Sequence, residues 1–275
     1  PPENTAEIAR NAGVPTISKF FGVDLAKDIL AEYGHPDLIV VNNVYAHIPD
    51  QQDFTIGISI LSDDSTITTI ENPSFEILLN NAYFDTIYHE HYSYLTAHSV
   101  NTVTQKCGLT LFHVDRLPTH GGSNRYWLSK SEIPDDTVNN VLNEERLSGL
   151  FDDDKWEEFA ISSRNAIDGL RAWLLKREKL GHIAVGYGAA HKGNTFLNAV
   201  GEASKTLKYV VDASHEKQGK FLPGSQVPVL APEYLNSENP TDVLILPWNI
   251  ANELSVNIKS LAPNANIWVA QPSMK

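Results

Sequence analysis

Four side chains that can carry or orient a proton stand in a row at Tyr88-His89-Glu90-His91, inside the run Phe84-Asp85-Thr86-Ile87-Tyr88-His89-Glu90-His91-Tyr92-Ser93-Tyr94-Leu95. A phenol, a carboxylate and two imidazoles suit proton transfer to or from a carbon or oxygen acid, because imidazole titrates near neutrality and its neighbours can orient it. The run reads as following the end of a parallel sheet, where an open α/β fold places its chemistry. His89 and His91 are two residues apart, so an extended backbone would put them on one face, with Tyr88 and Glu90 on the other. One metal ion could then be reached by both imidazoles, although no third ligand of suitable spacing is evident. Another imidazole, His47, ends the stretch Asn42-Asn43-Val44-Tyr45-Ala46-His47 behind a predicted strand, a position directed towards the same crevice as His91. On spacing alone, a capping or core role for His47 stays open.

The stretch Gly186-Tyr187-Gly188-Ala189-Ala190-His191-Lys192-Gly193-Asn194 lies between a predicted strand and a predicted helix. Small residues there let the backbone approach a phosphate, while the helix N-terminus supplies N–H donors and positive dipole. Asp212 ends the next strand, where an acid would meet a ribose. The dinucleotide fingerprint is not met, since its third glycine would fall at His191. Lys192, Lys217, Lys220 and Arg125 add cations of the kind a diphosphate needs. A turn used only for packing, with solvated surface lysines around it, is the plain alternative.

The elements that must position these groups alternate between two periodicities. Helices are predicted over 3–12, 24–33, 54–61, 94–106, 152–180, 192–200 and 249–261. Strands are predicted over 14–20, 37–43, 66–71, 109–117, 124–130, 182–187, 207–212, 243–246 and 267–270. Residues 37–43 read as a buried parallel strand, and 109–117 with 124–130 as a hairpin-like pair. Trp156, Phe159, Ala160, Ile167, Leu170, Trp173 and Leu174 recur at helical spacing and predict one packing face. The polar stretch 131–150 is the expected boundary between two α/β domains.

Composition narrows the partners. With 34 acidic and 21 basic side chains the formal charge is −13, which opposes nucleic-acid and anionic-membrane binding. A single cysteine, Cys107, leaves no internal disulfide and no cysteine zinc cluster. No apolar run has membrane-spanning length and no signal-peptide pattern is evident, so the cytoplasm is the expected compartment. The pattern opens in mid-helix without an initiating methionine, and an upstream segment is expected.

These stretches resemble the S-adenosylmethionine-dependent C-methyltransferases that act on nucleotide-linked 4-keto deoxysugars. The likeness runs through 37–47, 84–91, His120-Gly121-Gly122-Ser123-Asn124-Arg125, 186–198 and Lys217-Gln218-Gly219-Lys220-Phe221-Leu222-Pro223-Gly224, in family order over nearly the whole chain. It implies a partial Rossmann-like methyltransferase domain at 1–131 and a smaller Rossmann-like, nucleotide-sugar-binding α/β domain at 132–275. It implies His91 as the general base that removes a proton next to the sugar ketone, with Tyr88, Glu90 and His47 orienting the base and stabilising the oxyanion. Asn42 and Asn43 would contact the methyl donor. Arg125, Gly186, Gly188, Lys192, Gly193, Asn194, Asp212, Lys217 and Lys220 would contact the nucleotide-diphosphate sugar. The family's cysteine-rich zinc segment and donor glycine loop are not in this sequence, so no metal site is expected. The chain reads as an N-terminally truncated member, with a missing N-terminal half as a partner and weak donor binding on its own. Two other readings stay open: a nicotinamide-dependent sugar oxidoreductase using the 186–193 loop and Asp212, and a non-catalytic nucleotide-sugar-binding protein.

Overall fold

Helix and strand alternate along residues 3–275, which the computed structural model describes. Two units emerge: one takes the described residues up to Phe75 together with Glu90–Ser148, the other takes Glu76–His89 and Gly149–Lys275.

The first unit runs through α1 (Glu3–Asn11), α2 (Val23–Tyr33), β1 (Leu38–Asn42), α3 (Gln51–Leu61) and β2 (Ile67–Pro73). After α4 (Phe75–Asn80), which passes into the second unit, it resumes with α5 (Ala97–Lys106), β3 (Thr110–Leu117), β4 (Ser123–Ser129) and α6 (Asp136–Leu147). The sheet has the order β1-β2-β4-β3. Only β1 and β2 run parallel, since β4 lies antiparallel to both β2 and β3. Its core gathers Val41, Tyr45, Phe54, Ile58, Ile70, Val100, Leu111, Tyr126 and Leu128, each large apolar side chain contributing about 1.5–3 kcal/mol on burial.

Local sequence explains where the helices begin. Thr96 and Ser99 close a reciprocal capping box at the start of α5. Glu145 of α6 reinforces that end: its buried carboxylate accepts the Ala97 and His98 amides at 2.5 and 3.1 Å. Residues 131–150, polar in sequence, therefore hold a helix, with Val138, Val141 and Glu145 buried at helical spacing. Two expectations need correction. Residues 14–20 form no strand, and Phe20 is 87% exposed; Pro15 removes a backbone donor there and the apolar alternation is broken. Nor is β1, parallel to β2 as expected, a buried strand: it is an edge of the four-stranded sheet, with Leu38 and Val40 more than half exposed.

In the second unit a 3₁₀ turn (Phe84–Thr86) precedes α7 (Asp153–Lys179), β5 (Ala184–Tyr187), α8 (His191–Val200), β6 (Val210–Val211) and β7 (Val229–Leu230). There follow α9 (Tyr234–Glu238), β8 (Asp242–Ile245), α10 (Ala251–Leu261) and β9 (Asn266–Val269). All five strands are parallel, in the order β7-β6-β5-β8-β9. Chain order reverses between β5 and β8, which defines a topological switch point of the Rossmann-like kind. Strand periodicity divides the core: Ala184, Val210, Val229 and Leu244 meet α7 and α8 on one face, while Val185, Val211, Val243 and Ile245 meet Leu235 and Ile258 on the other. Along α7 the buried stripe is Ala166, Leu170, Trp173 and Leu174; Trp156, expected in that face, is 46% exposed. Among the described residues no helix is long and apolar enough to cross a membrane.

Candidate functional site

In the first unit the chain turns sharply after β1. Asn43 adopts φ 54°, and a 3₁₀ turn (Tyr45–His47) follows at the carboxyl end of the strand. The Ala46 carbonyl accepts the amides of Tyr92 and Ser93 at 2.9 and 3.2 Å, tying this turn to the segment that carries His91. The rings of His47 and His91 stand 4.8 Å apart at 58°. His47 Nδ1 lies 2.8 Å from the Glu90 carbonyl oxygen. A carbonyl only accepts, so Nδ1–H is the donor and Nε2 of the neutral ring is left as the basic nitrogen. Tyr94 packs edge-on against His91 at 6.1 Å. Both imidazoles are half-buried.

The Tyr88–His91 run does not leave the sheet directly, because α4 and the 3₁₀ turn separate it from β2. It is not extended either. His89 and Glu90 form a turn, so the one-face arrangement of His89 and His91 that a shared metal ion would need is not met. Among the described residues no group of three His, Cys, Asp or Glu side chains could hold a metal ion. Tyr88 and His89 belong to the second unit, Glu90 and His91 to the first. Tyr88 stacks on His191 with centroids 5.7 Å apart at 30°, whereas the Glu90 side chain is exposed. Asn42 and Asn43, also exposed, lie at the carboxyl end of β1. Arg125 sits on β4, where its Nε and Nη2 both donate to Glu71 Oε2 at 3.1 and 2.7 Å.

In the second unit the glycine loop leaves β5 at the switch point and enters α8. Gly188 has φ +87°, and a Cβ there would meet Pro247 at 2.6 Å. Gly186 lies within β5, where a Cβ would meet Val210 at 2.7 Å, and Gly193 brings α8 within 2.4 Å of Leu246 by the same measure. Close helix–strand approach, the task of the fingerprint's third glycine, thus falls to Gly193 rather than to position 191. Asp212 braces the loop. Its Oδ2 accepts the Ala189 amide at 2.7 Å and Lys217 Nζ at 3.2 Å, and its Oδ1 accepts the Ser214 amide at 2.8 Å. Lys217 also donates to the Ala189 carbonyl at 2.9 Å. A cavity of about 200 Å³ opens here, lined by Asn194, Lys217 and Lys220 on its polar side and by Ala189, Phe221 and Leu222 among its apolar groups. Ala190, the α8 N-cap, provides no side-chain cap, so first-turn amides remain available to an anion.

Lys192 does not line that cavity. Its ammonium lies 4.7 Å from the centre of the Trp248 ring; burial lowers its pKa, and the Asp85 carboxylate acts against that shift. Asp85 is fully buried and accepts Trp248 Nε1 at 2.6 Å. Burial pushes its pKa up to about 6, against the opposing Trp248 hydrogen bond and the Lys192 charge. Tyr83 packs on Trp248 at 4.0 Å. Asp85 and Trp248 were not among the sequence candidates. The available signals were a lone acid inside the apolar run 84–87 and a tryptophan just after the strand at the switch point.

A parallel sheet with a glycine turn, a braced acid and lysines at its carboxyl edge defines a Rossmann-like α/β unit; the first unit holds a paired-imidazole centre. The C-methyltransferase C-terminal domain family matches residues 118–271, more than half of the chain, and the chain belongs to that family. Over 98% of its length it is 31% identical to C-methyltransferase NovU of Streptomyces niveus, and it spans 65% of that protein's length.

Proposed function

We propose that this chain serves S-adenosylmethionine-dependent C-methylation of a nucleotide-diphosphate-linked keto-deoxysugar, with His91 as the general base. Family membership and the likeness to a C-methyltransferase support the reaction class. The observation that carries the residue assignment is the His47–His91 pair, in which one ring is oriented through the Glu90 carbonyl.

A C–H next to a ketone is a weak acid. Its removal needs a base poised near neutrality and donors at the developing enolate oxygen. His91 takes the proton, and His47, held by its Nδ1–H, restricts the His91 ring from one side. Tyr88 provides a phenol O–H suited to the oxyanion, and Glu90 orients the base through the main chain it shares with His91. The methyl donor supplies an electrophilic sulfonium methyl. Asn42 and Asn43 fit a contact with it, since both carboxamides are exposed at a strand's carboxyl end, where α/β folds present ligands. The second unit binds the nucleotide diphosphate through the α8 N-terminus, Lys217 and Lys220, with Asp212 and the loop glycines holding that shape.

Solvent deuterium exchange at the carbon next to the ketone tests the base, because it requires only the acceptor and a proton acceptor. The chain is incubated in D₂O with a nucleotide-linked 4-keto-deoxysugar, and label is read by NMR. His91→Ala should slow exchange by about 10²–10⁴-fold with nucleotide-sugar binding retained. Equal exchange in the variant removes His91 from the mechanism.

A further inference from the structure

We propose that the outer edge of β1 is a self-association surface, on which a second copy of this chain adds its own β1, antiparallel, about a twofold axis at Val40. The backbone is the first argument. The Asp37 carbonyl accepts the Ile67 amide at 3.0 Å, and the Asn43 amide donates to the Glu71 carbonyl at 2.7 Å. Alternate residues of a strand address the same neighbour, so Asp37, Ile39, Val41 and Asn43 bond to β2. The N–H and C=O groups of Leu38, Val40 and Asn42 therefore point away from the sheet. Among the described residues none of those groups has a hydrogen-bond partner.

The other sheet edges are the second argument, because each is at least partly taken up. On β3 the Val114 amide donates to Thr137 Oγ1 at 2.9 Å, and the Phe112 carbonyl accepts the Asp135 amide at 2.9 Å. In the second unit Val229 of β7 donates to the Lys220 carbonyl and accepts the Gly219 amide, at 2.8 and 2.9 Å. Val269 of β9 exchanges two bonds with Lys275 at 2.8 and 3.0 Å. Only β1 offers three successive outward residues, with no Lys, Pro or bulge to blunt it. The matching open edge is thus the β1 of another copy. Pairing consumes both edges and closes the assembly at two.

Register and charge are the third argument. Antiparallel pairing centred on Val40 sets Val40 against Val40 of the second copy and Leu38 against Asn42. All the outward groups then fall in directly opposed pairs, each of which exchanges two hydrogen bonds. Residues 38–44 carry no charged side chain, and Asp37 falls opposite Asn43 rather than another acid, so no like charges oppose each other along the ladder. Leu38 and Val40, 54% and 57% exposed, gain apolar cover. Against this stands the formal charge of −13 on each copy, a repulsion that salt screens.

Sedimentation equilibrium over the micromolar range should show a monomer–dimer equilibrium that tightens as salt is raised. Backbone amide exchange should slow at Leu38, Val40 and Asn42 as concentration increases. Val40→Pro deletes an N–H that β2 does not use and removes both central bonds of the dimer, weakening it about 5- to 150-fold. Val40→Lys should weaken it by opposing two ammonium groups across the axis, whereas Val40→Thr should leave it intact. Thermal unfolding verifies that each variant folds. A chain that stays monomeric at millimolar concentration overturns the proposal, as does a dimer indifferent to Val40→Pro and Val40→Lys or one that loosens with salt. Assemblies that grow beyond two copies refute the twofold closure. Protection of the three amides that is independent of concentration means that some other polypeptide segment occupies the edge, and the dimer falls.

Discussion

Two helical glycines of the second unit should respond oppositely to the same substitution. Gly169 lies in the interior of α7, exposed, with nothing within 4 Å of the position a Cβ would take. Gly169→Ala should therefore stabilise by about 0.5–1 kcal/mol, from helix propensity and a less flexible unfolded chain. Gly193 faces the end of β8. A Cβ there would stand 2.4 Å from Leu246 Cβ and 3.1 Å from its Cγ and Cδ1, whereas carbon atoms prefer about 3.5–4.0 Å. The nearest obstacle is the root of the Leu246 side chain, which cannot rotate away, so the first turn of α8 must lift off the sheet. Such overpacking costs about 1–3 kcal/mol, and the propensity gain near a helix start does not offset it. Urea unfolding of wild type, Gly169→Ala and Gly193→Ala reads the signs directly, as midpoint shifts at constant slope. Equal shifts, or a Gly193→Ala variant as stable as wild type, would refute the close-packing account of the loop. Because α8 carries the cavity edge, Gly193→Ala should also weaken nucleoside diphosphate binding.

Burial raises Asp85 from 3.8 in the unfolded chain to about 6, so between those values the native state keeps a proton that the unfolded state has released. Stability from this group is present below that window and is lost as pH rises through it. Asp85→Asn should flatten the fall, worth at most about 3 kcal/mol for a shift of that size, while retaining an acceptor for Trp248; an unchanged pH profile of unfolding between pH 4 and 6 argues against it. In the first unit, Glu145 accepts the Ala97 amide, the His98 amide and His98 Nδ1 from full burial. Glu145→Ala should cost about 3 kcal/mol and speed hydrogen exchange at Ala97 and His98, with Glu145→Gln in between; a neutral effect on both readouts contradicts the capping role.

The sequence alone determined most of the helices and most of the strands, because apolar period, caps and glycine stops act over a few residues; it did not show α4, α6 or α9. The start of α8, the parallel strands β5 and β8, and the glycine loop between β5 and α8 were legible for that reason, whereas α5 begins at Ala97 and not at the expected Tyr94. Where local pattern misled, long-range partners decided. Residues 14–20 had strand-like composition without a strand to pair with, and β1 read as buried but is half-exposed at a sheet edge. The polar stretch 131–150 became α6 because Val138, Val141 and Glu145 had places to bury in the first unit.

The candidate site divides the same way. Residue types named His91, His47, Asp212 and the lysines, yet only the tertiary structure set two imidazoles 4.8 Å apart, bound Asp212 to the loop it follows, and directed Lys192 towards Trp248 and Asp85 instead of the cavity. Those pairings depend on strand register and side-chain direction summed over distant segments. Periodicity says which face a residue occupies; packing alone says what stands opposite it.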